Sequence, residues 1–199
     1  MKSSGRRSWL GALALVAGVT LSGGAIAQAV EVEGVKFEPT AQVGGAALQL
    51  NGAGLRTRAI FKVYVAGLYV PAKSNNAATL LAQKGPRRLQ LTMLRNVDAD
   101  SFAAPLNDGL KNNHSEAQLA ALKAQIDAFN ATFKSIGEAK KGDVIGIEYL
   151  PDAGGTRITV NGQPKGSPIA GEEFYNALLR IWLGDKPADG DLKKGLLGG

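Results

Sequence analysis

The run from Asn51 to Tyr69, Asn-Gly-Ala-Gly-Leu-Arg-Thr-Arg-Ala-Ile-Phe-Lys-Val-Tyr-Val-Ala-Gly-Leu-Tyr, constrains the fold more than any other stretch of the chain. It sets a glycine-rich segment and two permanent charges directly against an apolar strand. Gly52 and Gly54 permit a positive φ or a close backbone approach, and the segment reads as a turn. Ile60, Phe61, Val63, Val65, Leu68 and Val70 then supply the β-branched and aromatic content of a buried strand. Arg56 and Arg58 stand two residues apart, so on a strand they would share one face.

The remaining periodicities predict an antiparallel sheet, then helices, then a closing hairpin. Val30 to Phe37 alternates as a strand with a local break at Gly34. Leu48 to Leu50 and Ala59 to Val70 read as the next strands, joined through the glycine turn. Ser74 to Gln83 is a short helix, and Arg87 to Leu94 a strand with Leu89 and Leu91 on one face. Ser115 with Gln118 three residues on is a capping-box start. Leu119, Leu122, Ile126, Phe129, Phe133 and Ile136 then follow at helical spacing, with Lys123, Asp127, Asn130 and Lys134 on the wet side. Val144 to Leu150 and Thr156 to Val160 form a late hairpin across Pro151 to Gly155, and Asn161-Gly162 is a second turn signal. Glu172 to Leu183 is helical and stops at Gly184, and Lys193 to Gly199 reads as a fraying tail.

The N-terminus is read as an address. Lys2, Arg6 and Arg7, an apolar stretch from Trp9 to Leu21 and the small residues Ala25-Ile26-Ala27 make residues 1–27 an export signal cut before Gln28. Residues 28–199 are then one domain of a periplasmic or otherwise exported protein. A span needs about 20 apolar residues, and this stretch breaks at Ser22-Gly23-Gly24, so no stable membrane span is expected. Arg6-Arg7-Ser8-Trp9-Leu10 also resembles a twin-arginine signal, which leaves the export route open.

Composition removes several classes of function. The chain has no cysteine, hence no disulfide, thiolate nucleophile or zinc-thiolate site. Removing Lys2, Arg6 and Arg7 from 23 basic residues leaves 20 against 17 acidic ones, a net charge of only +3. With no basic cluster interleaved with aromatics, nucleic-acid binding is not expected. His114 is the single histidine and reads as a solvated loop residue without the three or four donors that a metal needs. No serine sits in a Gly-x-Ser-x-Gly elbow, and no cofactor motif is present. Asp98, Asp100, Glu172 and Glu173 read as acids at helix starts.

The Gly-x-Gly-x-Arg pattern of Gly52, Gly54 and Arg56, followed by Lys62 to Tyr69, resembles the chalcone isomerase superfamily. Leu91 to Leu110, opening with Leu-Thr-Met, is similar to the family's strand-into-helix segment, and Ala177 to Gly184 to its late helix. The compact Lys-Val-Tyr-Val-Ala-Gly-Leu-Tyr form looks like the bacterial branch. The resemblance implies an α+β fold, an open-faced sandwich with an antiparallel sheet packed against a layer of helices.

It also implies a site. Plant members close a flavanone ring with an arginine and a set of hydroxyl and amide groups. Arg56 matches that arginine, but Phe102 stands at the position of the catalytic tyrosine, Gly109 at that of an asparagine and Ile181 at that of a late-helix hydroxyl. Tyr64 stands where the non-catalytic, fatty-acid-binding branch has a tyrosine that holds the ligand carboxylate together with the arginine. Arg56 and Tyr64, walled by Phe102, Ile181 and Trp182, thus resemble a polar anchor at the end of an apolar pocket for a small apolar carboxylate. Three alternatives stay open at this level. Arg56 would stabilise an oxyanion in an isomerase or intramolecular lyase, the domain could be a ligand-free structural or partner-binding module, and Arg56 could pair with a structural acid such as Glu148 or Glu172. Arg58 is read as surface or structural, and Tyr69 as core.

Overall fold

The computed structural model describes residues 29–199, so the expected export signal lies outside the described residues. The elements run β1 (Val30–Val32), β2 (Val35–Phe37), β3 (Thr40–Val43), β4 (Ala46–Arg58), β5 (Phe61–Val70), α1 (Ala77–Ala82), β6 (Arg87–Met93), β7 (Val97–Asp98), α2 (Ala99–Asn113), α3 (Glu116–Ala121), α4 (Lys123–Ile136), β8 (Glu138–Ala139), β9 (Val144–Leu150), β10 (Gly155–Val160), β11 (Gln163–Ile169), α5 (Glu172–Leu183) and α6 (Gly190–Leu196). Seven strands make one antiparallel sheet in the order β11-β10-β9-β6-β5-β4-β3.

Alternation along β5 sorts its side chains between two cores. Tyr64, Ala66, Leu68 and Val70 point into the main core beneath the helices, while Val65 and Tyr69 join Phe37, Val43, Leu48, Leu50 and Leu150 in a smaller core on the opposite face. The β1–β2 hairpin lays Phe37 over Gly67, where an added Cβ would fall 2.5 Å from the ring. Val30 to Phe37 is therefore two paired strands, turning at Glu33 and Gly34 with positive φ at both.

The glycines of the opening motif do not make a turn. β4 runs unbroken through Gly52 and Gly54 to Arg58, and the chain reverses at Ala59 and Ile60, with Arg58 paired to Phe61. Close approach is what these glycines provide. α6 lies against β4 so tightly that a Cβ on Gly52 would stand 2.1 Å from the Gly195 carbonyl oxygen, and one on Gly54 3.1 Å from Leu192. The C-terminal residues are therefore docked structure rather than a fraying tail: Leu192 and Leu196 are fully buried, and the Asn51 side chain donates to the Leu196 carbonyl at 2.7 Å.

Helix α5 is apolar on nearly every side because it lies between the sheet and α2, with Phe174, Tyr175, Leu178, Leu179, Ile181, Trp182 and Leu183 all buried. Removing each large side chain of this kind from water stabilises the fold by about 1.5 to 3 kcal/mol. The amphipathic run after Ser115 is two helices, α3 and α4, meeting at Leu122. Its apolar positions reach the core as expected, but Asn130 faces α2 and exchanges side-chain hydrogen bonds with Asn107 at 3.0 and 3.2 Å. β11 has no apolar alternation to betray it. Pro164 and Pro168 are tolerated because the strand lies at the sheet edge.

Candidate functional site

At one end of the sheet, the β4–β5 hairpin, the start of α2 and the end of α5 enclose a cavity of about 420 Å³. Val63, Val97, Phe102, Pro105, Leu106, Ile181 and Ala188 give it hydrocarbon walls. Arg56, Tyr64, Arg58, Arg95, Asn96, Asp98 and Ser101 supply its polar groups. Arg56 and Tyr64 meet because β4 and β5 pair them directly across the ladder, on the helix-covered face. The register then slips by one residue, since Thr57 pairs with Lys62 and leaves Val63 as the extra residue. Such a bulge bends the strand and re-aims its side chains, here beside the mouth of the cavity.

Tyr64 is 6% exposed, and its hydroxyl accepts a hydrogen bond from the Trp182 indole N–H at 2.9 Å. Burial raises this phenol above the ordinary tyrosine value, against the opposing effects of the Trp182 bond and the Arg56 charge. The group therefore stays protonated at neutral pH, and with its oxygen already accepting from Trp182 it keeps an O–H to donate. The Arg56 guanidinium donates from Nη1 to the Thr57 carbonyl, and the same nitrogen stands 3.5 Å from Asp189 Oδ2. Its Nη2 and Nε meet no carbonyl or carboxylate partner among the described residues, and the guanidinium also lies within hydrogen-bonding reach of the Tyr64 hydroxyl, so the fork is held through Nη1 and leaves Nη2 and Nε without an acid partner.

Asp189 is the acid that pairs with Arg56, in place of the two considered from sequence. Glu148 is taken by Arg88 at 2.7 Å and Arg157 at 2.6 Å, and Glu172 by Lys84 and Arg87, both at 2.8 Å. Arg87 is itself fully buried, its guanidinium carbon 5.1 and 5.0 Å from the ring centres of Tyr149 and Tyr175, and with its bonds to Glu172 and Asn176 this pins α5 to the sheet. Asp189 also caps α6, accepting from the Asp191 and Leu192 N–H through Oδ1 and from the Thr57 N–H through Oδ2. Burial disfavours its charge, but these N–H groups and Arg56 outweigh that and hold the carboxyl below its usual range. Asp-Gly-Asp-Leu after Pro187 was the sequence signal for this cap, obscured by the short helix that follows it.

Of the residues expected to wall the pocket, Phe102 and Ile181 line the cavity, with Phe102 also stacked on Phe133 at 5.0 Å. Trp182 does not reach it. One step further around α5, Trp182 turns into the core, 1% exposed, and acts behind Tyr64. Gly109 is not part of the cavity lining: a Cβ there would meet Ile181 Cγ2 at 2.7 Å, so α2–α5 packing occupies the space an asparagine would need. Arg58 is exposed at the rim, and Tyr69 is buried with its hydroxyl donating to the Glu38 carbonyl. His114 lies away from the cavity at the end of α2, with Nδ1 2.9 Å from the Leu110 carbonyl oxygen. Sequence reasoning missed Arg95, Val97 and Ser101, which the turn between β6 and α2 brings to the mouth. The strand-to-helix junction inside Leu91 to Leu110 was the available signal.

An antiparallel sheet with one face covered by helices, and an apolar cavity carrying an Arg-Tyr pair at its end, defines an α+β sandwich of the chalcone isomerase type. The chain belongs to the chalcone isomerase-like family, whose profile matches residues 29–198. Among solved structures, a fatty-acid binding protein of Arabidopsis thaliana superposes with a TM-score of 0.64 at 16% identity, covering 85% of this chain and 96% of that one. At that identity the likeness is one of fold. No curated protein matches the chain by sequence.

Proposed function

We propose that this is an exported, non-catalytic binding protein for a small apolar carboxylate such as a fatty acid. One observation carries the reading. The Nη2–Nε edge of Arg56 and the donor O–H of Tyr64 stand together in a cavity with hydrocarbon walls from Val63, Val97, Phe102, Pro105, Leu106 and Ile181, and with Arg58, Arg95, Asn96, Asp98 and Ser101 as its further polar groups. A guanidinium edge suits bidentate carboxylate binding, and the phenol adds one more donor. The volume of about 420 Å³ falls in the range of about 300 to 1,000 Å³ usual for small-ligand sites. The fold likeness to a fatty-acid binding protein supports the same reading. Isomerase chemistry draws no comparable support, because Phe102 and Ile181 offer only hydrocarbon where plant enzymes carry polar groups.

Export through cleavage before Gln28, in a bacterial periplasm, belongs to the same proposal and rests on the N-terminal pattern. N-terminal sequencing of protein recovered from the exported fraction should read Gln-Ala-Val-Glu. Recovery of the uncut chain in washed membranes would refute it.

Binding is tested by native mass spectrometry of protein purified from the exported fraction, then by calorimetry of the delipidated protein with medium- and long-chain fatty acids and their methyl esters. The acids should bind, and the esters at least about tenfold more weakly, since they lose the ionic half of a charge-assisted bond. Equal affinity for acid and ester would remove the carboxylate anchor from the proposal.

A further inference from the structure

The tip of the β4–β5 hairpin exposes apolar surface, of which Phe61 also borders the cavity and Ile60 does not. Ile60 is 86% exposed and Phe61 52%; Ile60 lies in the two-residue reversal and Phe61 opens β5 directly after it, beside the cavity mouth. The core gains nothing from them, and Ile60 is not among the cavity-lining residues. Cations surround the tip. Arg58 and Arg95 are exposed and form no salt bridge among the described residues, and the Arg95 guanidinium lies 4.5 Å above the Phe61 ring. The adjoining loop carries Lys140 and Lys141 and is tied to the same end by the Lys141 N–H bond to Asn96 at 2.9 Å. Acids lie at this end as well: Glu33 pairs with Lys62 at 2.6 Å, Asp98 and Asp143 accept backbone N–H groups at 2.8 Å, and Glu138 accepts from the Asn96 side chain at 3.3 Å.

We propose that this tip docks the protein onto an anionic phospholipid bilayer. Ile60 and Phe61 enter the boundary between headgroups and acyl chains while Arg58 and Arg95 meet lipid phosphates. A bilayer fits better than a protein partner because two projecting side chains fall far short of the roughly 800 Å² per partner of a stable protein interface. Apolar insertion joined to cationic attraction is, by contrast, sufficient for reversible attachment to an anionic lipid surface. Docked in this way, the mouth between the hairpin and α2 faces lipid, so an amphiphile could move between membrane and cavity without crossing water. That last use rests on the fatty-acid reading; the docking itself does not.

The test is co-sedimentation of the mature protein with vesicles of phosphatidylcholine alone and of an equal mixture with phosphatidylglycerol. Binding to the mixed vesicles is expected at low ionic strength, weakening as salt is added, with little binding to phosphatidylcholine alone. Ile60→Asp should reduce partitioning by at least about tenfold, because a charge replaces the inserted side chain, while fatty-acid affinity in solution and the circular dichroism spectrum stay unchanged. Arg58→Glu with Arg95→Glu should abolish the preference for anionic lipid. Absence of wild-type binding to the mixed vesicles would overturn the proposal, as would an Ile60→Asp variant that binds like wild type. Loss of a dimer in Ile60→Asp without any vesicle binding would also overturn it, assigning the tip to a second copy. Vesicle binding without fatty-acid affinity would leave docking standing and sink the ligand reading alone.

Discussion

The Trp182 indole N–H donates to the Tyr64 hydroxyl oxygen at 2.9 Å, joining helix α5 to strand β5 through a buried bond directly behind the cavity. The bond orients the phenol beside Arg56, so that under the proposed function Tyr64 would meet a carboxylate in one fixed pose. Trp182 is thus a positioning residue rather than a wall. Trp182→Phe should preserve most of the packing while weakening acid binding by about 1 kcal/mol, the usual worth of one neutral hydrogen bond. Calorimetry beside urea denaturation separates that loss from instability.

Arg56→Ala should weaken binding of a fatty acid by about 2 to 5 kcal/mol, the usual result of truncating one partner of a buried charged pair. Tyr64→Phe should cost less, about 1 kcal/mol. Ligand-free stability should fall only by about 1 kcal/mol in Arg56→Ala, because Asp189 keeps its three backbone N–H donors. A large loss of apo stability with full affinity per folded molecule would make Arg56 scaffolding.

Asp189 makes the docking of α6 sensitive to acid. Its carboxyl titrates lower in the folded protein than in the unfolded chain, so the unfolded chain binds more protons through that window and stability is lost as the pH falls. The contribution is complete above the unfolded value, about 4, and is lost as pH drops through the lower folded value. Asp189→Asn should be less stable than wild type at neutral pH by about 1 to 2 kcal/mol. The gap should close in denaturation curves taken at progressively lower pH, and a constant gap would show that the carboxylate's charge is not involved.

Gly52→Ala tests the β4–α6 contact. The added methyl would lie 2.1 Å from the Gly195 carbonyl oxygen, a backbone atom that cannot rotate away. The expected cost is about 2 to 3 kcal/mol, typical of forced overpacking, with amide exchange accelerated throughout α6. Gly190→Ala, where nothing lies within 4 Å, is the control and should be neutral or slightly stabilising.

Purified protein should neither accelerate closure of a chalcone to a flavanone nor impose one enantiomer. A preorganised donor is worth about 3 kcal/mol of transition-state stabilisation, and Phe102, Gly109 and Ile181 supply no side-chain donor. Chiral chromatography, with spontaneous closure subtracted, reads the result. Stereoselective product would promote Arg56 to an oxyanion stabiliser.

Periodicity and motif order made much of this protein legible in the sequence. Strands β5, β6, β9 and β10 and helix α5 follow directly from local alternation and helical spacing, because each buries a face or a stripe that its own residues encode. The Gly-x-Gly-x-Arg run singled out Arg56, although it read as a turn where the structure has continuous strand, and the family resemblance set Tyr64 beside it. Tertiary structure alone decided what those residues contact. Gly52 and Gly54 look the same in sequence whether they turn the chain or admit a neighbouring backbone, and only the arrival of α6 shows the second use. Asp189 lies 133 residues from Arg56, and the salt bridge exists only because α6 docks on β4. Trp182 and Ile181 are adjacent, yet helical rotation sends one to the core and the other to the cavity. Local pattern encodes which face is apolar; the partner that covers that face is a property of the folded chain, because burial is a relation between distant segments.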